Sequence, residues 1–227
     1  MPEPSKTTLP TIAILGGTGK EGPGLAIRWA YAGYPVLIGS RLEEKAQAAA
    51  AELNAALGRD VVRGLENGDA ARKADICVLT IVQSAHQAAL EGLRDDLAGK
   101  IVVDATARVD FRNPVPPAPP AAARIAQDIL GQAARVVAAF QNVPAHALKK
   151  NLGQPLDTDV LVCADNLEAA QAVICLAEAA GMRAYYAGSL DNAVVVEGLT
   201  SLLISLNKQY GVKTASIGVT GLEKGVE

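Results

Sequence analysis

Gly17, Gly19 and Gly22 fall at G-x-G-x-x-G spacing, directly after the apolar run Ile12-Ala13-Ile14-Leu15. An amphipathic stretch follows to about Ala32, Gly33 breaks it, and Val36-Leu37-Ile38 leads into Gly39-Ser40-Arg41. Strand, glycine turn, helix and strand in this order predict a βαβ unit. Each glycine has its own physical reason: a tight turn, close approach of backbone to a ligand, and close packing of the helix. The helix start aims unpaired N–H groups and a positive dipole end at the turn. A diphosphate meets both demands, so a dinucleotide is the expected ligand.

The end of the second strand bears on which dinucleotide. A site for NAD wants a carboxylate about 20 residues past the glycines, on the ribose 2′-hydroxyl. Here that place holds Ser40 and Arg41, with Lys45 one helical turn further on and no acid before Glu43. A hydroxyl, a guanidinium fork and an ammonium suit a 2′-phosphate, because charge-assisted and bidentate hydrogen bonds favour a dianion. NADP is the expected cofactor.

At 227 residues the chain can bury a sizeable core in one or two domains. The net charge of −3, with no basic stripe, argues against nucleic acid as partner. No run approaches the roughly 18 apolar residues of a membrane span, and Met1 to Pro10 lacks the apolar core of a signal peptide. Cys77, Cys163 and Cys175 form no C-x-x-C pair and are expected as buried free thiols in a reducing cytoplasm.

Further along, Leu42 to Leu57 is rich in Ala, Glu and Lys and predicts a helix stopped by Gly58. Val61-Val62 predicts a short strand, Glu66 to Lys73 a brief helix, and Ile76 to Val82 a strand covered on both faces. A helix over Gln83 to Leu97 and a strand over Ile101 to Asp104 continue the alternation. The expected fold class is therefore α/β, a doubly wound Rossmann sheet. Asn113 to Pro120 has five prolines in eight residues, which excludes regular structure; it reads as a loop over the site, a spacer or a plain linker.

Ala121 to Leu130 predicts a helix and Val136 to Phe140 the last strand of an NADP-binding domain over residues 1–140. Over 141–227 the alternation restarts as a smaller C-terminal α/β domain. It has strands at Asp159 to Ala164 and Arg183 to Ala187, a helix at Leu167 to Ala180, and a long helix at Asp191 to Tyr210. In the long helix, residues from Val194 to Leu206 are apolar on far more than one stripe, so it is expected to be buried on most sides at a homodimer interface.

Rossmann ligands lie outside the carboxyl ends of the strands. The candidates there are Thr80, Ile81 and Val82 with Gln83 and Ser84, then Asp104-Ala105-Thr106, then Gln141 to Ala145. Backbone near Ile81 and Val82 is expected to flank the nicotinamide ribose. His86 and His146, the two histidines, read as cap or surface residues ahead of acid or base. No Ser-His-Asp grouping, H-E-x-x-H or Cys/His cluster is visible, so hydrolytic and metal chemistry lack a foothold. Hydride transfer needs none of these, since cofactor atoms carry it. With no obvious acid–base pair, transfer between two bound cofactors fits better than carbonyl reduction.

The chain resembles the reduced coenzyme F420:NADP oxidoreductases. The likeness lies in Ile14 to Gly19, Gly39-Ser40-Arg41 with Lys45, Val78 to Ile81, Arg135 to Phe140, Asp157 to Val162, Tyr186-Ala187-Gly188, Asn192, Glu197 to Thr200 and Ile217 to Leu222. The resemblance implies a cytoplasmic homodimer that moves hydride between NADP(H) and the deazaflavin coenzyme F420. It further implies NADP contacts at Thr18, Gly19, Lys20, Glu21, Ser40, Arg41 and Lys45, with backbone near Ile81 and Ala145 at the nicotinamide end. Gln141 and Val82 depart from the family's usual histidine and proline, and Ala105 to Pro120 is unlike its relatives. A flavin reductase, or a non-catalytic NADP-binding redox sensor, are the alternatives.

Overall fold

The computed structural model describes residues 9–222, so Met1 to Thr8 of the N-terminal stretch lie outside it. The glycine unit forms as expected: β1 (Ile12–Leu15), α1 (Gly22–Tyr31) and β2 (Val36–Ser40). Next come α2 (Glu43–Leu57), β3 (Val62–Glu66), α3 (Asn67–Lys73), β4 (Ile76–Leu79), α4 (Gln83–Gly92) and β5 (Ile101–Asp104). The remainder is α5 (Ala122–Leu130), β6 (Arg135–Ala138), α6 (Ala145–Leu148), β7 (Asp159–Ala164), α7 (Leu167–Ala179), β8 (Arg183–Tyr186) and α8 (Ala193–Tyr210).

The strands run β3-β2-β1-β4-β5-β6-β7-β8 in one sheet. The first six are parallel, in the order of a doubly wound Rossmann sheet, and β7 joins β6 antiparallel before pairing parallel with β8. Two apolar layers cover the sheet. One gathers Leu25, Trp29, Ile38, Phe140 and Leu176; the other gathers Leu15, Leu79, Leu90, Leu97 and Leu130. All four residues of β1 are buried, because a parallel strand between two helical layers has no wet face.

Several boundaries differ from expectation for local reasons. The apolar run Ile76 to Val82 leaves the sheet after Leu79, and Thr80 to Val82 become loop, with Val82 exposed. The strand begun at Val62 extends to Glu66, because all five of its residues pair with β2. The helix from Gln83 ends at Gly92, and β6 ends at Ala138, just before Phe140 turns to a positive φ of 74°. A short 3-10 turn over Leu190–Asn192 precedes α8.

Within one chain α8 is not buried on most sides: Val195, Leu202 and Leu206 are exposed, while Val196, Glu197 and Ser201 face inward. Cys175 also departs from expectation. It is exposed on α7, whereas burial pushes Cys77 up to about 12 and Cys163 up to about 11.

One buried cation ties the C-terminal segment to α1. The Arg28 side chain donates from Nε to the Leu148 carbonyl at 2.7 Å and from Nη2 to Lys150 at 2.7 Å. From Nη1 it reaches Ala180 at 2.9 Å and Gln154 at 3.3 Å. The adjacent Trp29 donates to the Leu176 carbonyl at 2.8 Å and meets Phe140 edge-on at 5.7 Å.

Candidate functional site

A cleft of about 520 Å³ opens at the carboxyl ends of β1, β2 and β4, roofed by α4. The parallel strands end there and release their loops, the usual consequence of this topology. Thr18, Gly19, Ser40, Arg41, Lys45, Thr80, Ile81 and Val82 all line it. Gly17, Lys20, Glu21 and Ala145, the rest of the expected set, are not among its lining residues. Gly17 donates its N–H to the Gly39 carbonyl at 2.9 Å, Lys20 is exposed, Glu21 is the N-cap residue of α1, and Ala145 opens α6.

The turn's geometry follows from missing side chains. A Cβ on Gly22 would lie 2.7 Å from the Gly17 Cα and carbonyl oxygen, so α1 can begin this close to the turn only with glycine there. Gly16, at φ +69°, leaves no room for a Cβ either, since Ile81 Cγ1 would be 2.8 Å away. Gly16 thus joins the β1 turn to the β4 loop, a role that the spacing of the other three glycines does not reveal.

At the far end Ser40 is buried and its hydroxyl accepts from the Leu42 N–H at 3.3 Å. Arg41 and Lys45 are exposed and have no ion-pair partner among the described residues. Two uncommitted cations beside a hydroxyl form a place for an anion. Two wall residues were not anticipated there. Asn67 accepts from the Gly16 N–H at 3.1 Å through Oδ1, and Glu66 accepts from Gly68 at 2.7 Å. Both come from the β3–α3 corner, whose place beside β2 is set by strand pairing.

Glu21 has an Oε1 sealed from solvent without a partner, and burial pushes its carboxyl up to about 8. At neutral pH it therefore keeps its proton, which removes a negative charge from the helix start.

No acid–base pair is obvious in the sequence, but the fold brings a histidine and a carboxylate from distant segments together. His86, in the first turn of α4, places Nε2 2.7 Å from Oδ2 of Asp104 at the end of β5, and both are buried. Eighteen residues separate them, and the β4-α4-β5 crossover closes the distance. Burial opposes the imidazolium, but the hydrogen bond and charge of Asp104, with Glu197 behind it, outweigh burial and the opposing Arg108, so the ring titrates above its ordinary value. His146, by contrast, lies in α6. Among the described residues no group of three His, Cys, Asp or Glu could hold a metal ion, and no helix is long and apolar enough to cross a membrane.

The two raised groups act on stability in the same direction. Each holds its proton more tightly folded than unfolded, so its contribution is complete below the unfolded value and is lost as pH rises through the folded one. For Glu21 the window runs from the ordinary carboxyl value of 4.5 to about 8, and for His86 it begins at 6.5 and reaches higher. Tm is expected to fall by roughly 5–11 °C between pH 6 and 9, because about two pH units of the Glu21 window lie there, about 2.7 kcal/mol for a chain of this size. Glu21→Gln should remove most of the fall below pH 8; a thermal scan in which it changes nothing would place the titration elsewhere.

Residues 11–108 match the family model described as NADP oxidoreductase, coenzyme F420-dependent. The chain is 40% identical to the F420-dependent NADP reductase of Methanothermobacter thermautotrophicus, covering 96% of this chain and 97% of that protein. It is likewise 40% identical to the enzyme of that name from Methanocaldococcus jannaschii, covering 93% and 99%. A crystal structure of a proposed F420-dependent NADP-reductase from Arthrobacter sp. FB24 superposes with a TM-score of 0.77 at 26% identity, covering 93% and 99%. Likeness at this level along almost the whole length means that this chain belongs to the family of F420-dependent NADP reductases.

Proposed function

We propose that the cleft holds NADP(H) and that the protein transfers hydride reversibly between NADP(H) and coenzyme F420. The observation that carries the reading is the pair of unpaired cations, Arg41 and Lys45, beside Ser40, on a chain 40% identical to F420-dependent NADP reductases. Ser40, Arg41 and Lys45 would read the 2′-phosphate. The turn at Thr18 and Gly19 and the start of α1, with Lys20 and Glu21 beside them, would take the diphosphate, while the Gly17 N–H stays on the Gly39 carbonyl and holds the turn in place. Thr80, Ile81 and Val82, released from the sheet at Leu79, would support the nicotinamide end, together with Ala145 at the start of α6.

The bound dinucleotide supplies the hydride, and the protein's part is orientation and exclusion of water. Ile81, locked against Gly16, gives a fixed apolar floor, and the neutral Glu21 carboxyl spares the diphosphate a repulsive neighbour. Mixing the protein with NADPH and oxidised F420 is expected to bleach the deazaflavin's visible absorbance in proportion to the NADPH consumed. Turnover with a simple flavin and none with F420 would overturn the assignment of acceptor.

In this reading residues 1–140 bind NADP, and 141–227 carry the acceptor side and the dimer contact. The exposed Val195, Leu202 and Leu206 of α8 give a dry stripe that a second copy would cover in a homodimer. The buried free thiols Cys77 and Cys163 accord with a cytoplasmic enzyme. Sedimentation equilibrium is expected to give twice the chain mass, with Leu202→Glu shifting it towards one; a monomeric wild type at micromolar concentration would refute the dimer.

A further inference from the structure

Glu66 puts a carboxylate into the wall of a cleft otherwise built for anions. Strand pairing sets it against Ser40, at the end where Arg41 and Lys45 stand, and β2 and β1 lie between it and β4. One of its oxygens is committed, since Oε2 accepts from the Gly68 N–H at 2.7 Å and caps α3. The other, Oε1, has no hydrogen-bond partner among the described residues and is not sealed from solvent, so it stays open to whatever enters. Nor does Glu66 form an ion pair among the described residues, although two cations line the same cleft.

The corner that carries this carboxylate is pinned. Asn67, next in the chain, is buried, and its Oδ1 accepts from the Gly16 N–H at 3.1 Å. A Cβ on Gly39 would come within 2.7 Å of that same oxygen, so the amide fills a notch between the ends of β1 and β2 that only glycine leaves open. Above it the roof of the cleft is small and apolar. Ala85, Ala88, Ala89 and Gly92 recur at helical spacing along α4, and Leu42 and Leu93 add the remaining apolar wall. A slot of this kind takes a flat ring, and a single polar group at its edge sets which ring is accepted. An open carboxylate oxygen accepts from a ring amino group and repels a ring carbonyl.

We propose that Glu66 is a specificity-determining residue for the base of the dinucleotide: its Oε1 accepts from the 6-amino group of an adenine lying under α4, so that the enzyme selects adenine over a 6-oxopurine. The proposal rests on the cleft holding NADP(H). A site built around one hydrogen bond rejects the analogue that cannot make it, because the polar group of the protein is then left facing its like. The cap on α3 and the contact with the base use different oxygens of one carboxylate, so Glu66 serves both at once.

The probe is nicotinamide hypoxanthine dinucleotide phosphate, in which a 6-oxo group replaces the 6-amino group of NADP. Titration calorimetry on the full chain is expected to show NADP binding about tenfold tighter than the probe, the worth of a hydrogen bond to a charged group. In Glu66→Gln the Gly68 N–H keeps the amide oxygen and turns the NH₂ towards the ring, so the preference should reverse in favour of the probe. Glu66→Ala leaves nothing to tell the two bases apart, and its ratio should fall to near one. A residue that only caps α3 would lower Tm in Glu66→Ala and leave the ratio at its wild-type value in both variants, which would overturn the proposal. Equal affinity of the wild type for the two nucleotides would overturn it as well. A rise of NADP affinity relative to NAD in Glu66→Gln would place the carboxylate at the ribose 2′ position and equally remove it from the base. Failure of the wild type to bind either nucleotide would instead defeat the assignment of the cleft, and the adenine contact with it.

Discussion

Arg28→Met is expected to destabilise the protein by about 2–5 kcal/mol, because the two buried carbonyls of Leu148 and Ala180 lose their donor together and each costs about 1–3 kcal/mol unsatisfied. The guanidinium spreads its hydrogen bonds over Leu148, Lys150, Gln154 and Ala180, segments 120 to 152 residues away in sequence. Methionine fills much of the volume, so the loss reads the hydrogen bonds rather than a cavity. Arg28→Lys should recover less than half, since an ammonium cannot present the fork that serves several carbonyls at once. Urea unfolding monitored through Trp29, which bonds to the same region, provides the measurement. A midpoint within the error of the wild type would mean that water reaches those carbonyls.

Cofactor choice gives the second large effect. Arg41→Ala is expected to weaken NADPH by about 1.5–3 kcal/mol, the range for a hydrogen bond to a charged group, and NADH much less. The unpaired state of Arg41 sharpens the expectation, because no internal ion pair has to be broken before it meets a phosphate. Titration calorimetry with both coenzymes decides it; equal losses would show that the 2′-phosphate is read by other groups.

The glycine unit and the Ser40, Arg41, Lys45 end of the cleft were legible because their signals are local. Turn, helix start and charge lie within about 30 residues of one another, the span of one βαβ unit. What was not legible depends on pairings between distant segments. Asn67 reaches the cleft only because β3 lies beside β2, and His86 finds Asp104 only once α4 folds back on β5. Burial then decides chemistry that composition cannot show. Glu21 looks like a surface acid in the sequence, yet it loses enough water to hold its proton at neutral pH. The apolar character of α8 predicts burial on most sides, yet Val195, Leu202 and Leu206 are exposed within the chain, since composition alone does not say what covers a helix face.

The unequal exposure of the three thiols has a practical side. With Cys77 and Cys163 sealed inside strands and Cys175 open on α7, a maleimide dye would attach at a single native position. The unmodified polypeptide thus offers a ready handle for surface tethering or single-molecule spectroscopy, with no engineered cysteine needed.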